Sequence, residues 1–119
     1  MSSAPKRVLV VDDDADIRET LTLVLEAEGY AVDTACDGLE ALAKLRSAGR
    51  PELVLLDWKM PRLDGEGFLD AVEADVALRG LNVLVVSAHL QQPPSTRVAG
   101  LLRKPLTIES LREAVQAHT

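Results

Sequence analysis

The chain has 119 residues, with 13 Lys and Arg against 19 Asp and Glu, and a formal net charge of −6 at pH 7. This length suits one domain, expected to span residues 1–119 with its core at about 6–118. The acidic balance argues against direct binding to nucleic acid or to an anionic membrane. The first six residues lack the apolar core of a signal peptide, no apolar run is long enough to span a membrane, and the single Cys36 cannot form an internal disulfide. A reducing, cytoplasmic setting is therefore expected.

The first half of the chain alternates predicted strands and helices. An unalternated apolar run predicts a strand over 7–11 that is buried on both faces. Apolar residues at helical spacing then predict a helix over 16–28, which Asp14 is placed to cap. A strand over 30–35 and a second helix over 38–48 follow by the same criteria.

The second half repeats the alternation with one interruption. Strands are predicted over 53–56 and 82–86, with a weaker one over 100–103. A helix over 66–78 is predicted from Phe68 or Leu69, Val72 and Val76, and a final helix from Ile108, Leu111 and Val115, with Thr107 as its cap. Between 87 and 100, the Gln91-Gln92-Pro93-Pro94 segment disfavours helix, so the fourth helix should be short or absent. The whole predicts an α/β fold with five parallel strands and helices on both faces of the sheet.

Charged and polar residues stand at the ends of four predicted strands. Asp12 and Asp13 end the first, Asp57 the third and Ser87 the fourth, while Lys104 follows the fifth. Since parallel strands point their carboxyl ends the same way, these residues should converge on one pocket. Three carboxylates that close together repel one another by roughly 1 to 4 kcal/mol per pair, so a cation is expected among them, and oxygen ligands suit Mg²⁺.

These residues and their setting resemble the receiver domain of two-component response regulators over almost the whole chain, 8–118. The matching segments are Val-Leu-Val-Val-Asp-Asp-Asp from Val8, Leu-Val-Leu-Leu-Asp-Trp-Lys-Met-Pro from Leu53 with Asp64-Gly65, Val-Val-Ser-Ala from Val85, and Arg-Lys-Pro from Arg103. The resemblance implies a flavodoxin-like (βα)₅ fold. It also implies a phosphoacceptor whose binding to a downstream protein changes on phosphorylation. Such a domain is not expected to be an enzyme, apart from accepting and hydrolysing its own phosphoryl group.

The resemblance assigns a role to each pocket residue. Asp57 would take the phosphoryl group from a sensor histidine kinase or histidine phosphotransfer protein. Asp13 and Asp57 would bind Mg²⁺ directly, as would the backbone carbonyl of Lys59, and Asp12 would act mainly through water. Ser87 would hydrogen-bond the phosphoryl group and Lys104 would pair with one of its oxygens. The Lys104-Pro105 peptide would be cis, and Met60-Pro61 would shape the loop after Asp57.

Some positions modulate or depart from the family pattern. The side chains of Lys59 and His89 stand where, in the family, they border the phosphoryl group, so we hypothesise that they tune its lifetime. Leu101 replaces the aromatic residue that usually turns inward on phosphorylation. Ser87 and Lys104 are only 17 residues apart (104 − 87), because the fourth helix is shortened. A rearranged loop over 90–98 is expected to carry the signal instead.

Other functions explain the acidic triplet less well or remain open. A calcium-binding loop from Asp12 fails because Ile17 and Leu23 stand where it needs glycine and a bidentate acid. A phosphatase of the haloacid dehalogenase type fits poorly because Asp16 departs from that family's usual Thr or Val. No Gly-rich nucleotide-binding motif occurs. A degenerate receiver that docks partners without phosphorylation remains the alternative. The chain is expected to be either a complete small protein or an excised module.

Overall fold

The structure, a computed structural model, describes residues 5–60, 62–95 and 97–119. Its five strands are β1 (Arg7–Val11), β2 (Ala31–Ala35), β3 (Leu53–Asp57), β4 (Val83–Ser87) and β5 (Gly100–Arg103). Its helices are α1 (Ala15–Ala27), α2 (Gly38–Ala48), α3 (Gly65–Ala74) and α4 (Ile108–His118). Each strand boundary lies within one residue of the sequence prediction.

All five strands pair in parallel in the order β2-β1-β3-β4-β5. This is a flavodoxin-like doubly wound order, in agreement with the fold that the family resemblance implied. Alternate residues of the central strands face opposite layers, because successive side chains of a strand point to opposite faces. Leu9 and Val11 of β1 belong to a buried cluster with residues of α2 and α3, and Val8 and Val10 to a second cluster with residues of α1 and α4. The prediction of helices on both faces of the sheet is confirmed.

Helix α3 ends earlier than predicted. It stops at Ala74, and Asp75 begins a turn in which the Leu78 amide donates to the Asp75 carbonyl at 2.9 Å. This turn buries Leu78 and leaves Val76, predicted to face the core, 76% exposed. Ile108 was also predicted on the buried face but is 62% exposed, since it is the first residue of α4 and core contact begins at Leu111.

The connection from β4 to β5 contains no helix in residues 88–95 and 97–99, as the prolines predicted. It is held in three other ways. Val98 packs against the cluster under α2 and α3, the Ala99 amide donates to the Val83 carbonyl at 2.7 Å, and Arg97 pairs with Asp70 and Glu73 of α3 at 2.9 and 3.0 Å. A tethered loop therefore lies where a helix is usual.

All four helices of the described residues begin with a side-chain cap, and the sequence predicted two of these caps, Asp14 and Thr107. Asp14 accepts from the Asp16 and Ile17 amides at the start of α1, and Thr107 forms a capping box with Ser110 at α4. Asp37 caps α2 by accepting from the Glu40 amide at 2.9 Å. Its buried carboxylate also pairs with Arg62.

Replacing Asp37 with alanine is expected to lower the free energy of unfolding by about 2 kcal/mol, the upper range for an N-cap, because the Arg62 contact is lost as well. The Glu40 amide and then Arg62 hold the pKa of Asp37 below its usual range. A lowered pKa means that this stabilisation is present above the unfolded-state pKa, about 4, and is lost as the pH falls toward the folded-state value. Urea unfolding at pH 7 and pH 3 measures both effects.

Asp64→Ala is the matched control. Asp64 caps α3 through the Gly67 amide at 2.9 Å, but its side chain is exposed. We expect Asp64→Ala to lower the free energy of unfolding by about 1 kcal/mol. Equal losses in the two variants at pH 7 would show that the pair with Arg62 adds nothing to the cap.

Candidate functional site

The strand ends bring the predicted pocket residues to one edge of the sheet. Asp12 directly follows β1, Asp57 is the last residue of β3 and Ser87 the last of β4. The register places Asp57 beside Val86 of β4, and Ser87 beside Arg103, the residue before Lys104. Parallel pairing thus collects residues that are separated along the chain by up to 92 positions.

Three carboxylates form a cluster at this edge. Oxygens of Asp12, Asp13 and Asp57 lie within 4.8 Å of one another. Asp12 is 2% exposed and Asp57 is 9% exposed, while Asp13 is open to solvent. The Asp14 amide donates to Asp12 Oδ1 at 2.9 Å and holds that carboxylate in place. Two carboxylates of the cluster are therefore buried, and the cluster meets solvent at Asp13.

Crowding changes the acidity of Asp57. Its pKa is raised from 3.8 to about 6, most by burial, then by the negative charge of Asp12, and also by a hydrogen bond and the charge of Asp13. The Lys104 ammonium partly opposes the rise. A buried carboxyl beside like charges is harder to ionise, so a bound cation would favour the charged form of Asp57.

Lys104 supplies one positive charge. Its Nζ lies 3.4 Å from Asp12 Oδ2 and 3.8 Å from Asp57 Oδ1. Its backbone amide donates to the Ser87 carbonyl at 2.9 Å, which continues the β4–β5 pairing to the base of the side chain. The Lys104–Pro105 peptide is cis, as the family resemblance implied.

Ser87 is buried beside these groups with its hydroxyl proton available. Ser87 Oγ accepts from the His89 amide at 3.1 Å and from the Leu90 amide at 3.3 Å. A hydroxyl that accepts in this way keeps one proton to donate. The His89 side chain is exposed, so its backbone orients Ser87 while its imidazole faces solvent.

The loop after Asp57 carries Lys59, whose side chain is exposed. The partly buried Trp58 and Met60 pack against the core on either side of it. A Cβ on Gly65 would lie 2.3 Å from the Trp58 ring, so only glycine allows this approach. The Gly65 amide donates to the Trp58 carbonyl at 3.0 Å and closes the loop. Pro61, predicted with Met60 to shape this loop, lies outside the described residues.

The cluster includes neither Leu101 nor the single cysteine, Cys36. Leu101 lies in β5 opposite Val85 and is only partly buried. Cys36 is partly buried near Glu40 and Asp37, which raise the pKa of its thiol, the Glu40 hydrogen bond most strongly. A thiol with a raised pKa is a poor nucleophile.

Two arginines make contacts around the strand ends that were not predicted from the sequence. Arg18 of α1 donates to the Asp12 carbonyl at 2.7 Å. Arg62, in the loop that follows Asp57, pairs with Asp37 at the start of α2. No sequence signal identified either contact, because each depends on how two separate segments meet.

The donor set fits a hard cation. All three clustered groups are carboxylates, without a His or Cys among them, and carboxylate oxygens prefer Mg²⁺ or Ca²⁺ to softer metals.

Among the described residues, no helix combines the length and apolar character needed to cross a bilayer.

Comparison with known proteins gives a consistent result. Residues 8–116 match the response regulator receiver domain family. The response regulator MprA of Mycobacterium sp. (strain KMS) is 42% identical over 124 residues, which cover 95% of this chain and 50% of that protein. MprA of Mycobacterium tuberculosis (strain ATCC 25618 / H37Rv) is 42% identical over 122 residues, covering 93% of this chain and 49% of that protein. The chain spans about half the length of the curated relatives it matches.

Solved structures agree with this match. The chemotaxis protein CheY4 of Vibrio cholerae superposes with a TM-score of 0.86 at 31% identity, covering 98% of this chain and 100% of that one. The receiver domain of the hybrid histidine kinase CckA superposes with a TM-score of 0.78 at 32% identity, covering 94% of this chain and 97% of that one. From its sequence match and its fold, this chain belongs to the response regulator receiver domain family.

Proposed function

We propose that Asp57 accepts a phosphoryl group from a phosphohistidine of a sensor histidine kinase or a histidine phosphotransfer protein. The observation that carries the proposal is the position of Lys104 Nζ, within 3.8 Å of both Asp12 and Asp57 in the carboxylate cluster. An ammonium ion there can pair with a phosphoryl oxygen as well as with the carboxylates. The phosphorylated chain would then bind a downstream protein differently, in the cytoplasm.

The residues suggest how transfer occurs. A carboxylate oxygen of Asp57 attacks phosphorus while the bond from phosphorus to the imidazole nitrogen breaks, and the imidazole leaves with a proton from solvent. The Lys104 ammonium group exchanges its ion pairs with the carboxylates for an ion pair with an oxygen of the incoming phosphoryl group. Ser87 donates its free hydroxyl proton to another oxygen. These groups are already fixed before transfer, which is the condition for stabilising charge as it develops.

Mg²⁺ would be held by Asp13, by Asp57, by the backbone carbonyl of Lys59 and, through water, by Asp12. It would supply two positive charges at the oxygens of the transferred group. Three carboxylates, one Lys and one Mg²⁺ sum to zero (−3 + 1 + 2), so the site can take a phosphoryl dianion without an excess of negative charge.

We further propose that the exposed side chains of Lys59 and His89 adjust how fast water removes the phosphoryl group. Unchanged rates of dephosphorylation in Lys59→Ala and His89→Ala would contradict this role of the two side chains. The tethered loop between β4 and β5 would transmit the signal, since Leu101 replaces the usual aromatic residue. The activity would be confined to the chain's own aspartyl phosphate.

Intact mass after incubation with acetyl phosphate tests the proposal. We expect one labile phosphoryl adduct that needs Mg²⁺ and is absent from Asp57→Asn, because the amide cannot act as the nucleophile. Asp64→Asn, at the start of α3, is the control for a nearby acid outside the cluster and should be phosphorylated normally.

An adduct that survives Asp57→Asn would contradict the proposed acceptor. No adduct with acetyl phosphate, followed by none with a cognate kinase, would favour the degenerate receiver that docks partners without phosphorylation. The observation that favours this second function, docking without phosphorylation, is the connection from β4 to β5, which has no helix in its described residues.

A further inference from the structure

The loop that follows Asp57 is tied to helix α2 by an ion pair. Arg62 Nε donates to Asp37 Oδ2 at 2.6 Å, and Arg62 Nη2 contacts the same oxygen. The Asp37 side chain is 3% exposed, so its charge is removed from water and depends on its partners. Neither residue belongs to the carboxylate cluster.

Two backbone features bring the loop against α2 at the same place. The Gly38 amide, at the first position of α2, donates to the Leu63 carbonyl at 3.2 Å. A Cβ on Gly38 would lie 2.7 Å from that carbonyl oxygen, so the absence of a side chain permits the contact. Arg62 itself has a φ of 66°, a backbone conformation that is unfavourable for a non-glycine residue and that only surrounding contacts can maintain.

We infer that Arg62 is a positioning residue that holds the loop between β3 and α3 against α2 and thereby strengthens Mg²⁺ binding at the carboxylate cluster. This inference rests on the proposed function, in which the Lys59 carbonyl is a ligand of the ion. Lys59 lies three residues before Arg62 in the same loop. A loop anchored at Arg62 presents that carbonyl with less conformational freedom to lose on binding.

The sign of the effect separates positioning from simple electrostatics. Arg62 carries a positive charge, so its removal makes the acidic site more negative and, by Coulomb attraction alone, should tighten cation binding. Loss of the anchor should instead weaken it. Weaker binding in Arg62→Ala therefore has positioning as its cause, because the charge effect points the other way.

Mg²⁺ titration of the full chain tests the inference. Trp58, the single tryptophan, is adjacent to Asp57 and reports binding by fluorescence, with calorimetry as a second readout. We expect the dissociation constant to rise about three- to tenfold in Arg62→Ala, at or below the low end for outer-shell partners of metal ligands. Arg62→Lys should recover part of the affinity, since an ammonium ion can still pair with Asp37.

Two further variants keep the test sharp. Arg62→Gly loses the pair but tolerates the φ of 66°, so it should bind Mg²⁺ as weakly as Arg62→Ala even where alanine costs folding stability. Arg46→Ala is the matched control. Arg46 is 58% exposed against 59% for Arg62, and it also pairs with an aspartate, Asp75, at 3.6 Å. Its removal should leave the affinity unchanged or slightly higher.

A double-mutant cycle completes the design. Asp37→Asn should weaken Mg²⁺ binding at least as much as Arg62→Ala, because it removes the same contact and also one negative charge. Adding Arg62→Ala to Asp37→Asn should weaken binding no further, because the contact is already lost. An unchanged or lower dissociation constant in Arg62→Ala and Arg62→Gly, with both shown to be folded by urea denaturation, would overturn the inference alone. Failure of the wild type to bind Mg²⁺ by either readout would instead contradict the Mg²⁺ dependence of the proposed function, and the inference with it.

Discussion

Metal-free Asp57→Asn is expected to be more stable than the wild type by roughly 3 kcal/mol at pH 7, because the pKa shift of Asp57 is a cost of folding and each pKa unit corresponds to about 1.4 kcal/mol. The wild-type carboxyl has its pKa raised from 3.8 to about 6 by burial and by Asp12 and Asp13. Asparagine has nearly the same shape and no charge. Urea unfolding in the presence of a chelator measures the difference.

The pH dependence has a defined sign. A folded-state pKa above the unfolded value means that ionisation of Asp57 opposes folding above about pH 6 and has no effect below about pH 4. The stability gap between Asp57→Asn and the wild type should therefore close as the pH falls through this window. Comparing the two proteins at each pH cancels the contribution of other carboxylates, such as Asp37, whose pKa is lowered.

Added Mg²⁺ provides the control. The cation should stabilise the wild type more than Asp57→Asn, because the variant has lost one anionic ligand, and so it should narrow the gap at pH 7. A wild type as stable as Asp57→Asn without metal would mean that burial and the neighbouring carboxylates do not penalise the charged form of Asp57.

The second large effect concerns the core beneath the site. Phe68 of α3 is fully buried among aliphatic residues of the cluster that lies under α2 and α3. Phe68→Ala should lower the free energy of unfolding by about 3–5 kcal/mol, because it removes a large apolar side chain and leaves a cavity. Urea unfolding at pH 7 measures this loss.

Val76→Ala is the companion variant. Sequence periodicity predicted that Val76 lies on the same buried face as Phe68, whereas the structure leaves it 76% exposed beyond the end of α3. Its truncation should change stability by less than about 0.5 kcal/mol. A loss above 2 kcal/mol in Val76→Ala would support the longer helix predicted from the sequence.

Apolar spacing and strand polarity in the sequence determined most of the architecture. The unalternated runs of β1, β3 and β4 require burial on both faces, and that burial requires helices on both sides. The prolines at 93 and 94 excluded a full fourth helix. Residues at the ends of parallel strands had to converge, so the sequence alone was enough to group Asp12, Asp57, Ser87 and Lys104.

The tertiary structure alone decided how distant segments meet. Periodicity records which residues suit burial, but it does not show that Asp75 turns the chain and takes Val76 out of the core. The pair between Arg62 and Asp37, 25 residues apart, depends on the paths of two loops at once. The raised pKa of Asp57 likewise depends on distances among three strand ends. Local pattern determines the elements, whereas contacts between loops and the strength of charge coupling come only from their arrangement in space.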